Sequence, residues 1–216
     1  MDKEKSNITF PYEVGPEQTQ PILLADFNIV TQTRSEYNSE GIDELAHSML
    51  VRDSEGVVTD LKLINPPLLG RFTEESAAHY LYQLNTLFGT SHTVADLTPN
   101  ADGKYNILIA GHRRSLALTQ AVEACSGTPN DLFVRSVVLD DIDFDEAFKQ
   151  QTLENIYERP ALQDEAEAIA KYCEYRRNSG GKQISVAECA RELSLKEKKV
   201  RMQLSILNYQ PTLKNS

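Results

Sequence analysis

Residues Ile107-Leu108-Ile109-Ala110-Gly111-His112-Arg113-Arg114-Ser115-Leu116-Ala117-Leu118 run from an apolar stretch, through one glycine, into a segment of helical spacing that opens with two arginines. An apolar run this short, closed by glycine, predicts a strand at 105–110 that passes directly into a helix at 113–124. The fold must therefore hold a sheet against helices. Glycine at such a junction lets the backbone turn sharply and approach a ligand, and the start of a helix favours negative charge. Arg113 and Arg114 add forked donors suited to phosphate. The same pattern also describes a surface helix with two solvated arginines.

The 216 residues suffice for one sizeable domain and a smaller one. Hydrophobic residues at 40% and charged residues at 25% fit a globular chain and exclude a disordered one. No apolar run reaches the roughly 20 residues that span a bilayer, and the charged start MDKEKSNITF does not read as a signal peptide, so the expected location is cytoplasmic. Cys125, Cys173 and Cys189 lie far apart in sequence and form no metal-ligand spacing, which reads them as core or idle thiols.

Net charge is −10, but it is unevenly placed. Between Lys171 and Gln203 nine basic residues face four acidic ones, a local +5 that leaves −15 for the rest. A basic segment on an acidic body is what local DNA contact requires, because phosphate neutralisation supplies most of the sequence-independent affinity. A solvated helical face would show the same count.

Along the chain, residues 1–20 read as a flexible arm and 21–27 as a strand entering a polar loop at 28–34. Helices are expected at 39–50, behind a Ser39 cap, and at 74–88, ending at Gly89. Strands are expected at 61–64, broken by Pro66 and Pro67, and at 133–139. From Asp145 onward the pattern is helical, over 145–157, 163–178, 186–193 and 196–207.

Three further motifs carry chemistry. Glu154 and Asn155 set a carboxylate beside an amide, oxygen ligands suited to Mg2+, although such a dipeptide in a helix usually faces solvent. Gln32, Thr33 and Arg34 form a polar loop able to hydrogen-bond a base or phosphate. Residues 186–204 show small Ala190 inside, Leu193 before a tight turn, and Val200 and Leu204 packing back: a helix-turn-helix pattern that αα-hairpins without DNA also share. In the DNA-binding version the second helix enters the major groove, which makes Lys196, Lys198, Lys199, Arg201 and Gln203 the candidate phosphate or base contacts.

The ordered set resembles the ParB family of partition proteins, in which a Q-x-R loop, a strand followed by G-E/H-R-R-x-x-A, an E-N-x-x-R helix and a helix-turn-helix occur in this sequence. Here they stand as Gln32-Thr33-Arg34, Gly111-His112-Arg113-Arg114-Ser115-Leu116-Ala117, Glu154-Asn155 and the segment from Ala190 to Leu204, so the resemblance covers roughly residues 21–211. Two lesser features agree, Glu44-Leu45-Ala46-His47-Ser48-Met49 and Gln163-Asp164-Glu165-Ala166-Glu167-Ala168.

The resemblance implies an α+β fold: a ParB/sulfiredoxin-like mixed sheet with helices at 21–144, then an all-α helix-turn-helix region at 145–216, with the helix-turn-helix at about 185–207. It implies a CTP-dependent DNA clamp for plasmid or chromosome partition. CTP and Mg2+ would bind the first domain and close two protomers around a centromere-like DNA site, and slow CTP hydrolysis would reset them. Gly111, His112, Arg113 and Arg114 would hold the triphosphate, with Gln32, Thr33, Arg34 and Asn155 completing the pocket. Glu154 would be the catalytic carboxylate and, with Asn155, the Mg2+ ligand. A homodimer, a ParA-type ATPase partner and a nucleoid- or plasmid-associated location follow from the same resemblance.

Four differences stand beside it. His112 occupies a position usually acidic in the family, and Glu158 stands where the motif has arginine, which comes one place later at Arg159. Residues 71–104 exceed the family's short connection and read as an insertion. The family's later DNA-binding helices and dimerisation domain have no counterpart before Ser216, which implies an incomplete helical region. The alternatives are an enzyme on this fold, a small-molecule kinase or nuclease, and a ParB-like transcriptional regulator without nucleotide gating. A sulfiredoxin would need cysteine where Gly111 stands.

Overall fold

The apolar run folds as the strand Tyr105–Ala110, and residues 106–110 within it are all buried. The computed structural model describes residues 18–30, 39–55, 58–61, 65–125, 127–157, 162–180 and 184–209. Among these the chain is mixed α+β, with a five-stranded mixed sheet, a two-stranded ladder and seven α-helices. It divides into two compact units, with the boundary between Phe144 and Asp145.

In the first unit the strands are β1 (Gln20–Leu23), β2 (Phe27–Asn28), β3 (Leu50–Arg52), β4 (Val58–Leu61), β5 (Leu68–Phe72), β6 (Tyr105–Ala110) and β7 (Phe133–Asp140). The large sheet has the order β1-β7-β5-β6-β2. Central β5 runs antiparallel to β6 and parallel to β7, while β1 lies antiparallel to β7 and β2 parallel to β6. β3 and β4 pair separately, with an irregularity between Val51 and Arg52. Within β5, Gly70 has no room for a side chain: a Cβ there would lie 2.5 Å from the Phe72 ring and 2.9 Å from Ile142.

The helices of this unit are α1 (Ser39–Met49), α2 (Glu74–Phe88) and α3 (His112–Ala124). α1 and α3 bury one shared apolar face, in which Ile42, Ala46 and Met49 meet Ala117, Leu118 and Ala121. This is the 3.6-residue spacing of both segments put to use. α2 starts where the Thr73 hydroxyl accepts from the Ser76 N–H at 3.3 Å and ends at Gly89. It buries Ala77, Tyr80, Leu81 and Leu84, and the Tyr80 ring lies 5.1 Å from Phe72 and 5.2 Å from Phe144. The segment expected as an insertion is therefore part of the core, since each such side chain contributes on the order of 1.5–3 kcal/mol when buried.

Two sequence boundaries change. The expected arm at 1–20 ends earlier, because Gln20 opens β1 and the Thr19 hydroxyl accepts from Arg135 at 3.2 Å; residues 1–17 lie outside the described residues. The strand expected over 21–27 is interrupted by a 3-10 turn at Leu24–Asp26, held by the Leu24 N–H donating to the Leu132 carbonyl at 2.9 Å. Asn28, read as loop, is buried and works as a staple. Its amide donates to the carbonyls of Thr98 at 2.9 Å and Asn106 at 3.3 Å, and its oxygen accepts from the Thr98 N–H at 2.7 Å. Of the strand expected at 61–64, only Leu61 is among the described residues.

The second unit holds α4 (Phe144–Tyr157) from Asp145 onward, α5 (Leu162–Gly180), α6 (Val186–Glu192) and α7 (Glu197–Tyr209). α4 packs on α5 through Phe148, whose ring lies 5.9 Å from Tyr172 and 5.3 Å from Tyr175. Arg176 of α5 ties the neighbouring helices together. It donates to both carboxylate oxygens of Glu192 at 3.1 and 3.0 Å and lies 3.6 Å from Asp145. The Tyr172 hydroxyl also donates to Glu192 at 2.8 Å, and its burial against that carboxylate pushes the phenol above its ordinary range. Among the described residues no helix is long and apolar enough to cross a membrane.

Candidate functional site

The strand-to-helix corner is set by Gly111. Its φ of 99° and ψ of 22° lie in the left-handed region, and its carbonyl accepts the Ser115 N–H at 2.8 Å to begin α3. A Cβ at this position would stand 3.1 Å from the Pro67 Cβ and 3.2 Å from its Cα. The backbone conformation favours glycine, and any side chain here would also push Pro67 back by a few tenths of an ångström. His112 follows, buried.

The two arginines then part company. Arg114 donates from Nη1 to the carbonyls of Asn65 at 2.8 Å and Pro66 at 3.4 Å, latching α3 to the loop before β5. Arg113 turns to α1, where its guanidinium would lie 3.3 Å from a Cβ on Gly41. Gly41 is in the first turn of α1 and Arg113 in the first turn of α3, so a half-buried cation sits beside two helix N-termini. Helix dipoles disfavour a cation there and favour an anion. Among the described residues no carboxylate pairs with Arg113. What the corner offers is a place for a phosphate group, with Arg113 as its donor.

Gln32, Thr33 and Arg34 lie outside the described residues. Glu154 and Asn155 belong to the helical unit and occupy α4, where they are only 3% and 8% exposed. The solvent-facing reading of that dipeptide is overturned. They sit in a run, 150–156, that is buried throughout and includes Gln150, Gln151 and Thr152. A helix with this much buried polarity has no single apolar face, which is why its periodicity carried little information. Among the described residues no three His, Cys, Asp or Glu side chains gather as a metal-binding group.

In the helix-turn-helix segment the Ser185 hydroxyl accepts the Glu188 N–H at 3.2 Å, while the Glu188 carboxylate accepts the Ser185 N–H at 2.9 Å. This capping box fixes the start of α6, and the Ser185 N–H and hydroxyl, both donating to the Glu188 carboxylate, hold it below its ordinary range. The end of α6 is a Schellman turn: Leu195 N–H donates to the Ala190 carbonyl at 2.7 Å and Ser194 N–H to that of Arg191 at 3.2 Å. Ser194 takes the left-handed position with φ 53°, where glycine is usual. Ala190, Leu193 and Val200 are buried as the pattern requires, but the inward position expected of Leu204 is filled by Gln203, which is 1% exposed.

That rotation sorts the basic residues of α7. Gln203 donates to Glu165 of α5 at 2.6 Å, and Lys199 forms an ion pair with the same carboxylate. Both residues, expected at DNA, are spent fastening α7 to α5. Arg201 is exposed and pairs with Glu197 one turn earlier at 2.6 Å. Lys196 and Lys198 are exposed, and with Arg201 and Met202 they form the outward face of the second helix.

Sequence reading missed Gly41 and Pro67, whose contribution is a backbone brought close rather than a reactive group. It also missed Glu165, the internal partner of two expected DNA contacts. Cys173 and Cys189, read as core or idle thiols, lie with their sulfurs 3.2 Å apart, Cys189 in the core. No protein-family model matches the chain, and no curated protein is significantly similar to it.

Proposed function

We propose that the chain is a ParB-like, CTP-dependent DNA-binding protein on a ParB/sulfiredoxin-like fold, acting in plasmid or chromosome partition. The observation that carries this reading is Arg113, a half-buried cation held at the first turns of both α1 and α3. A phosphate group at that point meets the positive ends of two helices together with a guanidinium. The ordered motifs of the sequence supply the family context, and the exposed Lys196 and Lys198 supply cations for DNA backbone.

In this reading Gly111 brings the backbone to the triphosphate and Arg113 binds it. Arg114 acts by holding the Asn65-Pro66 loop before β5, and His112 is buried next to Gly111. Glu154 and Asn155 have the oxygen donors Mg2+ takes, and Glu154 would be the carboxylate of a slow CTPase; the ion, when bound, would neutralise phosphate charge. Nucleotide would join two protomers through the first unit, and the cytoplasmic partners would be a specific DNA site and a ParA-type ATPase.

Calorimetry of the chain with CTP, ATP and GTP in the presence of Mg2+ tests the reading. The expected result is binding selective for CTP, weakened at least about tenfold in Arg113→Ala, the share of one charge-assisted hydrogen bond. Absence of CTP-selective binding overturns it. DNA binding indifferent to CTP selects a regulator without nucleotide gating, and rapid turnover without DNA selects an enzyme.

A further inference from the structure

The helical unit carries a second chemical centre that the DNA reading does not use. Cys173 of α5 and Cys189 of α6 are separated by 16 residues, and their sulfurs stand 3.2 Å apart. Both are free thiols. A disulfide has an S–S length of about 2.05 Å, so the sulfurs need to close by only about 1 Å, a movement within reach of side-chain rotation. We propose that Cys173 and Cys189 form a reversible redox pair, with Cys173 as the attacking thiol and Cys189 as the resolving thiol, whose disulfide clamps α5 to the first helix of the helix-turn-helix.

The roles follow from access. Cys173 is partly exposed and lines an open groove of about 560 Å³ with Arg177, Ile184 and Leu204, whereas Cys189 is fully buried. A hydroperoxide reaches the first sulfur and not the second. A Cys173 thiolate would accept a hydrogen bond from the Cys189 S–H, which holds its pKa below the ordinary thiol value, although burial and the nearby Glu192 oppose this. Cys189 is pushed the other way, so it keeps its proton until its partner is oxidised. This order is the one productive thiol chemistry needs.

The Cys173 thiolate attacks one oxygen of a hydroperoxide, the O–O bond breaks, and the departing oxygen takes up a proton as an alcohol or as water. Cys173 is then a sulfenic acid. The Cys189 sulfur attacks it, the S–O bond breaks, and hydroxide leaves with the Cys189 proton as water. Two thiols and one hydroperoxide have become a disulfide, an alcohol and water. Two electrons have moved to the peroxide oxygens. A dithiol reductant reverses the change by exchange.

The inference stands on thiol geometry and not on the proposed nucleotide or DNA binding, so its test uses neither. The reduced full chain is exposed to a small excess of hydrogen peroxide, alkylated and analysed by intact mass and tryptic mapping. Reactive thiols should fall from three to one, leaving Cys125. Mass should fall by two hydrogens before alkylation, and peptides 172–176 and 183–191 should be joined. A dithiol should restore all three thiols, and the oxidised chain should melt several degrees higher because a short loop has been closed. Cys125→Ser should leave the link intact, and Cys173→Ser should abolish it. Sulfinic acid at Cys173 without a link, a link to Cys125, or a link between chains each overturns the proposal. The map of the unsubstituted chain decides these outcomes even if a variant fails to fold.

Discussion

Of the described junctions that hold a residue in the left-handed region, two treat charge in different ways. Gly111, at φ 99°, begins a helix; Ser194, at φ 53°, ends one. Beside Gly111 stands Arg113, set where two helix dipoles disfavour it. Beyond Ser194 two of the cations are answered, Lys199 by Glu165 and Arg201 by Glu197, while Lys196 and Lys198 stand exposed. Among the described residues, conformational demand and a half-buried cation without a carboxylate partner coincide at the first junction; at the second, the cations without one are exposed. That coincidence is what the proposed ligand corner has and the turn that ends α6 lacks. It also shows why a count of basic residues overstates the charge available for binding.

The largest effect should come from the corner. Gly111→Ala must adopt a left-handed conformation and push against Pro67, and should cost roughly 2–4 kcal/mol in urea unfolding. A cost below about 1 kcal/mol would make the corner no more demanding than the Ser194 turn. Next is the answered charge: Glu165→Ala removes the acceptor of both Lys199 and buried Gln203 and should cost about 2 kcal/mol. Glu165→Gln, which keeps an acceptor, should recover part of this. If neither variant is destabilised, α7 is fastened by its apolar contacts alone.

Smaller effects sharpen the contrast. Ser194→Gly should raise stability by about 0.5–1 kcal/mol, since it relieves the left-handed strain at an exposed turn where nothing is walled in; a loss would mean that the Ser194 side chain does work at the turn. The capping box gives a pH effect of defined sign. Because the Glu188 pKa lies below its ordinary 4.5 in the folded chain, the cap contributes fully above that value and is lost as pH falls through the lowered one. Amide exchange at the start of α6 should therefore quicken on acidification; Glu188→Gln should remove this dependence, and Ser185→Ala, which keeps the backbone donor, should only weaken it. Smallest in stability is Lys198→Ala, expected within about 0.5 kcal/mol of the parent. In DNA titrations it should flatten the dependence of log affinity on log salt by about one unit, whereas an unchanged slope would take Lys198 off the phosphate contacts.

Much of the fold was legible because local pattern and tertiary burial agreed. α2 runs over the span its spacing predicts, and β6, β7 and α3 fall within a residue of theirs. The ladder β3–β4 escaped because its segments are only three and four residues long, with pairing as their main signature. In the corner, sequence located Gly111 and Arg113 but could not tell Arg113 from Arg114. The distinction lies in Gly41 and in the Asn65 carbonyl, both far away in the chain. Gln203 was misread for a related reason. Helical periodicity puts it near Val200 and leaves open whether a polar residue there meets water or a buried carboxylate such as Glu165.

The sheet order also sets a timetable for synthesis. Leu23 pairs with Phe133 and Asn28 with Ile107, so the first strands made are completed by nearly the last of their unit. At ordinary translation rates, roughly 5–20 s separate the appearance of β1 from that of β7. Through that interval the amino-terminal strands have no sheet partner, while α2 and the β3–β4 ladder are already available to form. The edges of the sheet, first out of the ribosome, are among the last pieces to find their place.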